Sequence, residues 1–240
     1  MHSMLQVMAA DGGSFDASVV LPESGSGPGI VLFQEIFGVN DFLLGKARDL
    51  AALGYVVCCP DVFWRIEAGV SLPHDEIGLQ RGFTLVGRWS QEVPDETKVS
   101  DLLAVMSQFG ADPRVTGTGV AVMGYCLGGT LAYMAAVAGE PAACVSYYGS
   151  GIADQLGAVG RISCPVLFHF GEQDTYIPAD QVEKIQAAFA ERPDVTVRVA
   201  GGAGHAFENL LSPMFADPAA AAGSWPVTVE FLGQHLPVGG

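Results

Sequence analysis

Met123-Gly124-Tyr125-Cys126-Leu127-Gly128-Gly129 is the stretch around which this sequence is organised. Before it, Gly119-Val120-Ala121-Val122 is a short apolar, β-branched run that reads as a buried strand. After it, residues 130–138 (TLAYMAAVA) read as a helix. Strand, glycine-flanked turn and helix in that order make a nucleophile elbow, here G-x-C-x-G in place of G-x-S-x-G. A residue held in so sharp a turn leaves no room for neighbouring Cβ atoms, hence the small residues on either side. The helix starting behind the sulfur offers free N–H groups and the positive end of its dipole, which favour a thiolate and an oxyanion.

Composition narrows the classes. A chain of 240 residues is an ordinary length for one α/β domain and buries roughly 70–75% of its unfolded surface. We read residues 1–240 as a single domain, with 61–93 as a cap-like connection. Against 26 Asp and Glu stand only 11 Lys and Arg, a net charge of −15. That balance argues against nucleic acid or an anionic membrane surface as a partner. Of the five cysteines, Cys58, Cys59 and Cys144 lie in apolar strand-like runs and Cys164 just before one. These four read as small buried hydrophobes in a reducing, cytoplasmic compartment. The first residues show no basic or long apolar segment of a signal peptide. Residues 119–139 are uncharged and long enough to span a bilayer, but crowded glycines and a change from strand to helix pattern argue against a span.

In chain order, residues 5–7 and 15–21 flank a Gly-rich turn and read as an antiparallel hairpin. Residues 25–29 read as a loop, 30–33 as a buried strand, and a helix runs from an Asn40 or Asp41 cap to about 53. Residues 55–60 form the next strand. A helix carrying Arg81 and Arg88 runs from 75 or 76 to about 89, and Pro94 opens another ending near 110. Strands follow at 142–148, 165–170 and 195–199, with a helix from Pro178 to about 190. Pro226 starts or kinks the last helical piece at 227–236. The alternation predicts a mostly parallel sheet with helices on both faces, its ligand site at the carboxyl ends of the strands.

A cysteine nucleophile needs a base and an acid to orient that base. After the strand ending at Phe170 comes Gly171-Glu172-Gln173-Asp174, which offers Asp174 as the acid and Glu172 as its competitor. After the strand ending at Val199 comes Gly201-Gly202-Ala203-Gly204-His205, which offers His205 as the base. Glu35 follows the strand at 30–33 and faces the same edge. The amides of Ile36 and Leu127 are the expected oxyanion donors. His169, inside a strand, reads as a satisfied core residue, and no histidine pair has zinc-ligand spacing.

These motifs, with Gln34-Glu35-Ile36-Phe37-Gly38-Val39-Asn40, Pro60-Asp61-Val62-Phe63-Trp64-Arg65 and Gly204-His205-Ala206-Phe207, resemble the dienelactone hydrolase family (carboxymethylenebutenolidases and relatives) of the α/β-hydrolase fold. The resemblance implies a cysteine-dependent hydrolase of esters or lactones with no cofactor and no metal. Cys126, His205 and Asp174 would form its triad, working through an acyl-thioester. Glu35 would be the carboxylate that contacts the resting thiol and helps deprotonate it. It also implies substrate contacts from Arg81, Phe37, Phe83 and Trp64, a small-molecule ester or lactone as partner, and a monomer or weak homodimer. Dienelactone-specific members carry Ser after the histidine and Arg four residues on; here those positions are Ala206 and Asn209. The competing reading is a non-catalytic small-molecule-binding member of the same fold.

Overall fold

Among the described residues, strands β1 (His2–Met8) to β8 (Val195–Ala200) and helices α1 (Asp41–Ala52) to α6 (Pro218–His235) alternate along most of the chain. The computed structural model describes residues 2–239; Met1 and Gly240, the ends of the span read as one domain, lie outside the described residues. The chain gathers into two compact units, Met1–Ala121 with Val238–Gly240, and Val122–Pro237.

The first unit opens on a hairpin of β1 (His2–Met8) and β2 (Ser14–Val20), paired antiparallel as the Gly-rich turn between them predicts. β2 also pairs antiparallel with β4 (Val56–Pro60), which pairs in parallel with β3 (Gly27–Phe33). β3 and β4 are buried at every position, the continuous apolar run that a parallel strand covered on both faces requires. Helix α1 (Asp41–Ala52) follows β3, and its cap is Asn40, whose side chain accepts the Leu43 N–H. Helices α2 (Glu76–Glu92) and α3 (Asp95–Gly110) then lead to β5 (Val115–Tyr125).

The second unit holds the end of β5, then α4 (Leu127–Ala138), β6 (Cys144–Tyr147), β7 (Val166–Gly171), α5 (Ala179–Ala188), β8 (Val195–Ala200) and α6 (Pro218–His235). Here β5, β6, β7 and β8 pair in parallel in sequence order. The expected α/β class with a mostly parallel sheet is the fold this chain adopts. In parallel sheets of this kind the strand-to-helix turns gather at one edge, which places functional side chains there.

Several boundaries differ from the sequence reading. The loop expected at 25–29 is already strand from Gly27, because tertiary pairing overrides the Gly-Pro signal. A Cβ on Gly27 would sit 2.0 Å from the Gly54 carbonyl oxygen, so the glycines there serve close approach rather than a turn. α2 runs on to Glu92, three residues past the expected end. The last helix starts at Pro218, so of the two readings of Pro226 the one that puts it inside a helical tail holds and the one that starts a helix there does not. Asp217 caps it through the Ala219 and Ala220 N–H groups, and Pro226 lies within it. The start signal was Asp217-Pro218, a cap followed by proline at the first helical position. Two short 3₁₀ turns, Ile152–Asp154 and Leu156–Arg161, were not legible in the sequence.

His169 on β7 is a buried, hydrogen-bonded histidine. Its Nε2 lies 3.0 Å from the Thr228 hydroxyl of α6, and its ring stacks on Tyr147 at 4.3 Å. Burial, with the charge of Arg198 adding to it, pushes its pKa down to about 3. A depressed folded-state pKa means that the stability held by neutral His169 is complete above about 6.5 and is lost as pH falls toward 3. Urea midpoints at pH 7 and pH 4.5 test this. His169→Gln, with nothing to protonate, should lose less stability on acidification than the parent protein, the gap being on the order of a few kcal/mol.

Candidate active site

The elbow is built from a single residue. β5 ends at Tyr125 and α4 begins at Leu127, leaving Cys126 between them at φ 54°, ψ −117°. For a residue with a side chain this is strained backbone, and hydrogen bonds hold it. The Cys126 N–H donates to the Tyr147 carbonyl of β6 at 3.0 Å, and its carbonyl accepts the Gly129 and Thr130 N–H groups. Space explains the glycines. A Cβ on Gly124 would lie 2.1 Å from the Gly128 carbonyl oxygen, and one on Gly129 would lie 2.5 Å from that of Tyr147. The helix begins three residues earlier than its sequence suggests, so the N–H of Leu127 stands in a first turn with no intrahelical acceptor.

Two loops of the same unit bring in the partners. The Asp174 Oδ1 accepts the Tyr176 and Ile177 N–H groups at 2.8 and 3.1 Å, which fixes the carboxylate. Its Oδ2 accepts from His205 Nδ1 at 2.7 Å. His205 Nε2 then faces the Cys126 sulfur at 3.1 Å. The competing acid is used elsewhere: the Glu172 carboxylate accepts the Gly202 N–H at 2.7 Å and so anchors the loop that carries the histidine. The Gln173 N–H adds a second tie, to the Ala203 carbonyl at 2.8 Å. Tyr148, which follows β6 at φ 37°, and Tyr176 place rings 5.1 and 4.9 Å from the imidazole.

The electrostatics suit proton transfer. Desolvation by burial works against a charged imidazole at His205, but electrostatic attraction toward the Cys126 sulfur and the hydrogen bonds to Asp174 and Cys126 outweigh it. Together they raise its pKa to about 10. The other four cysteines, Cys58, Cys59, Cys144 and Cys164, are free and buried, and Cys126 is less so. Burial pushes Cys59 up to about 12 and Cys164 up to about 11, which leaves both as inert thiols.

The remaining expected site residues lie in the first unit. Glu35 is buried, with Oε2 4.0 Å from His74 Nε2. Ile36 follows it and packs under α2, where Gly82 gives its carbonyl room. Phe37 is buried with its ring 4.7 Å from His74. Arg81 is half exposed and ion-paired to Glu67, and Phe83 is exposed on the same helix. Trp64 belongs to a separate cluster: its ring stacks on Phe15 at 5.2 Å, its N–H donates to Asp101, and the Arg65 guanidinium lies over its face.

Sequence reasoning missed Tyr148, Tyr176 and His74. The two tyrosines directly follow a strand end and the acid loop, a position that could have marked them. His74 carried no such signal, since only the fold brings residue 74 to residue 35. Among the described residues no cluster of His, Cys, Asp or Glu could hold a metal, and no helix is long and apolar enough to cross a membrane.

Comparison with known proteins adds the lineage. The model of the dienelactone hydrolase family matches residues 15–236. The chain is 36% identical over 236 residues to a carboxymethylenebutenolidase of Pseudomonas sp. (strain P51), covering 98% of this chain and 96% of that protein. It is also 36% identical over 218 residues to the carboxymethylenebutenolidase of Pseudomonas putida, covering 90% of each. Among solved structures, a dienelactone hydrolase-like promiscuous phosphotriesterase from metagenomic libraries superposes with a TM-score of 0.81 at 27% identity, covering 99% of both chains. A dienelactone hydrolase fold from Klebsiella pneumoniae gives the same TM-score at 22% identity, covering 98% of both.

Two measurements check this geometry. Gly124→Ala should destabilise the protein by about 3 kcal/mol or more, read as a fall in urea midpoint, because the colliding atom is backbone and cannot move aside. For His205 a raised folded-state pKa means that the charged imidazole and its stabilising contacts persist below the ordinary 6.5 and up toward 10, then are lost. NMR titration should place its midpoint well above 6.5 in the parent protein and lower in Asp174→Asn.

Proposed function

This chain belongs to the dienelactone hydrolase family and is a hydrolase, and from that premise we propose that it cleaves small-molecule esters or lactones with Cys126 as nucleophile. The observation that carries the reading is the unbroken line from Asp174 Oδ2 to His205 Nδ1 at 2.7 Å and from His205 Nε2 to Cys126 Sγ at 3.1 Å. The names of the relatives, carboxymethylenebutenolidases, supply the substrate class.

His205 takes the thiol proton as the sulfur attacks the carbonyl carbon, and Asp174 holds the ring with Nδ1 protonated and Nε2 toward the sulfur. A free thiol near pKa 8.5 is only about 3% thiolate at pH 7, so such activation is needed. Charge develops on the carbonyl oxygen, for which the Leu127 N–H at the start of α4 is a ready donor. The Ile36 N–H is assigned as the second donor on the family resemblance. Losing one such donor typically costs roughly 3–4 kcal/mol of transition-state stabilisation. Collapse expels the alkoxide or enolate, which takes its proton from the His205 imidazolium, and leaves an acyl-thioester on Cys126. His205 then removes a proton from water, which attacks the thioester, and the sulfur leaves as the thiolate.

Thiolates leave as readily as they attack, so stabilised leaving groups such as enols suit this site better than amines. Glu35 is assigned, on the resemblance, to help deprotonate the thiol. Arg81 is held by Glu67, and Ala206 and Asn209 stand where the dienelactone-specific members carry Ser and Arg. We therefore assign the broader ester and lactone class rather than a carboxylate-bearing dienelactone. Free, buried thiols support a reducing, cytoplasmic setting. On this reading the chain acts as one functional domain, a monomer or weak homodimer, without a cofactor.

Hydrolysis of p-nitrophenyl acetate, before and after iodoacetamide, tests the proposal. Cys126→Ala should lose about 10³-fold or more in kcat, and iodoacetamide should inactivate the parent protein. Turnover retained in the variant would overturn the reading. Saturable ligand binding without turnover in the parent protein would point to the binding member instead.

A further inference from the structure

Beneath its first half, helix α6 leaves a cavity of about 430 Å³ over β7 and β8, walled entirely by residues of the second unit. Cys126, Asp174 and His205 are not among its walls. The sequence accounts for the space. His169 and Arg198 are register partners on β7 and β8, so their side chains share one face of the sheet. α6 covers that face, since its Thr228 hydroxyl lies 3.0 Å from His169 Nε2. About two turns earlier the helix presents Ala219, Ala220 and Gly223, which are too short to fill the gap. Packing does not call for glycine at 223. A Cβ there would meet nothing beyond its own stretch of helix within 4 Å, and glycine inside a helix is destabilising relative to alanine.

The polar groups that line this space are left without partners. Arg198 is exposed, and its guanidinium makes no hydrogen bond or ion pair among the described residues. Asp217 spends Oδ1 on the Ala219 and Ala220 N–H groups at 3.1 and 3.0 Å, and its Oδ2 is not engaged among the described residues. Arg198 and Asp217 thus line one cavity with no ion pair joining them. His169 is only 2% exposed. Its Nε2 is used by Thr228, and Nδ1 has no hydrogen-bond partner among the described residues. A ring nitrogen so buried and yet unmet by the fold is a group for an occupant to satisfy. Ser224 does not compete, because its hydroxyl turns to Glu208. Val199 and Val227 add apolar wall.

We propose that this cavity is a second ligand site, for a small hydroxycarboxylate. The Arg198 fork holds the carboxylate, Asp217 Oδ2 accepts the hydroxyl, and the carbon chain rests on Val199 and Val227. His169 Nδ1 serves either end: in one ring tautomer it donates to a carboxylate oxygen, in the other it accepts from the hydroxyl. The volume is that of a small-molecule site. A simple carboxylate leaves Asp217 unmet, and the charge of Arg198 disfavours an ammonium in the hydroxyl's place. Opening a lactone with water yields a hydroxycarboxylate, so on the function proposed above the occupant is product. The site itself does not depend on that reading.

The test uses the full chain with 4-hydroxybutanoate as the probe. NMR of the histidine rings follows His169 and His205 separately as the probe is added. The His169 signals should move saturably while those of His205 stay in place. No saturable movement of His169 up to about 10 mM probe, or movement of His205 alone, overturns the proposal. Arg198→Gln should weaken binding about tenfold or more, because it removes a charge-assisted contact; unchanged binding overturns the proposal. Gly223→Leu should fill the cavity and abolish binding, and if that variant does not fold, Arg198→Gln still decides. Both variants should hydrolyse p-nitrophenyl acetate as the parent protein does. Butanoate and 4-aminobutanoate should each bind several-fold more weakly than the probe, and equal or tighter binding by either overturns the hydroxycarboxylate class. Cys126→Ala should bind as the parent protein does, so the fate of the nucleophile and that of this site are read separately.

Discussion

One residue in a forbidden-looking turn sets the terms for the second unit. Cys126 occupies a positive φ between the end of β5 and the start of α4, and no helix or strand geometry continues through it. The turn exists because its flanks lack side chains: Gly124 and Gly129 lie against the backbone oxygens of Gly128 and Tyr147. It stays put because the Cys126 N–H is tied to β6. Strain of this kind persists where the surroundings over-determine it. What it secures is a sulfur raised above the sheet edge with the free amides of a helix behind it.

The rest of that unit reads as support for the sulfur. His205 is held by a neighbour at positive φ, Ala206, and by the Asp174 carboxylate, which is itself fixed by two backbone amides. Tyr148, also at positive φ, puts a ring beside the imidazole. All three residues with side chains and positive φ among those described thus lie at, or next to, the groups that would carry proton transfer. The buried cysteines show the contrast. Thiols in apolar surroundings are held far from ionisation, whereas Cys126 faces an imidazole.

Much of this was legible in the sequence, for identifiable reasons. The elbow was legible because glycines on both sides of a cysteine, between a β-branched run and an alanine-rich one, suit little besides a tight junction of strand and helix. Asp174 and His205 were legible because each follows a strand end. Asp174 and Glu172 sit in one loop, and the sequence leaves Glu172 as a competitor; the fold separates them, since Asp174 bonds His205 Nδ1 while Glu172 accepts the Gly202 N–H. Gly27 and Pro28 misled because local breaker signals lose to sheet pairing. His74 was beyond reach because its meaning depends on two loops, near residues 38 and 71, meeting in a bridge. Trp64 is expected at the substrate by family resemblance; its ring stacks on Phe15 and its N–H donates to Asp101, partners that its own sequence neighbourhood does not reveal.

The lacing between the acid loop and the histidine loop has a consequence for how this scaffold can change. Glu172 and Gln173 donate backbone N–H groups to the Ala200 and Ala203 carbonyls, and Gly202 answers with its N–H to the Glu172 carboxylate. A residue inserted in either loop would put both sets of bonds out of register at once. The two loops are therefore one heritable module. Recombination between relatives, or grafting by an engineer, succeeds when residues 171–177 and 200–206 travel together, and length variation is pushed into the segments beyond them.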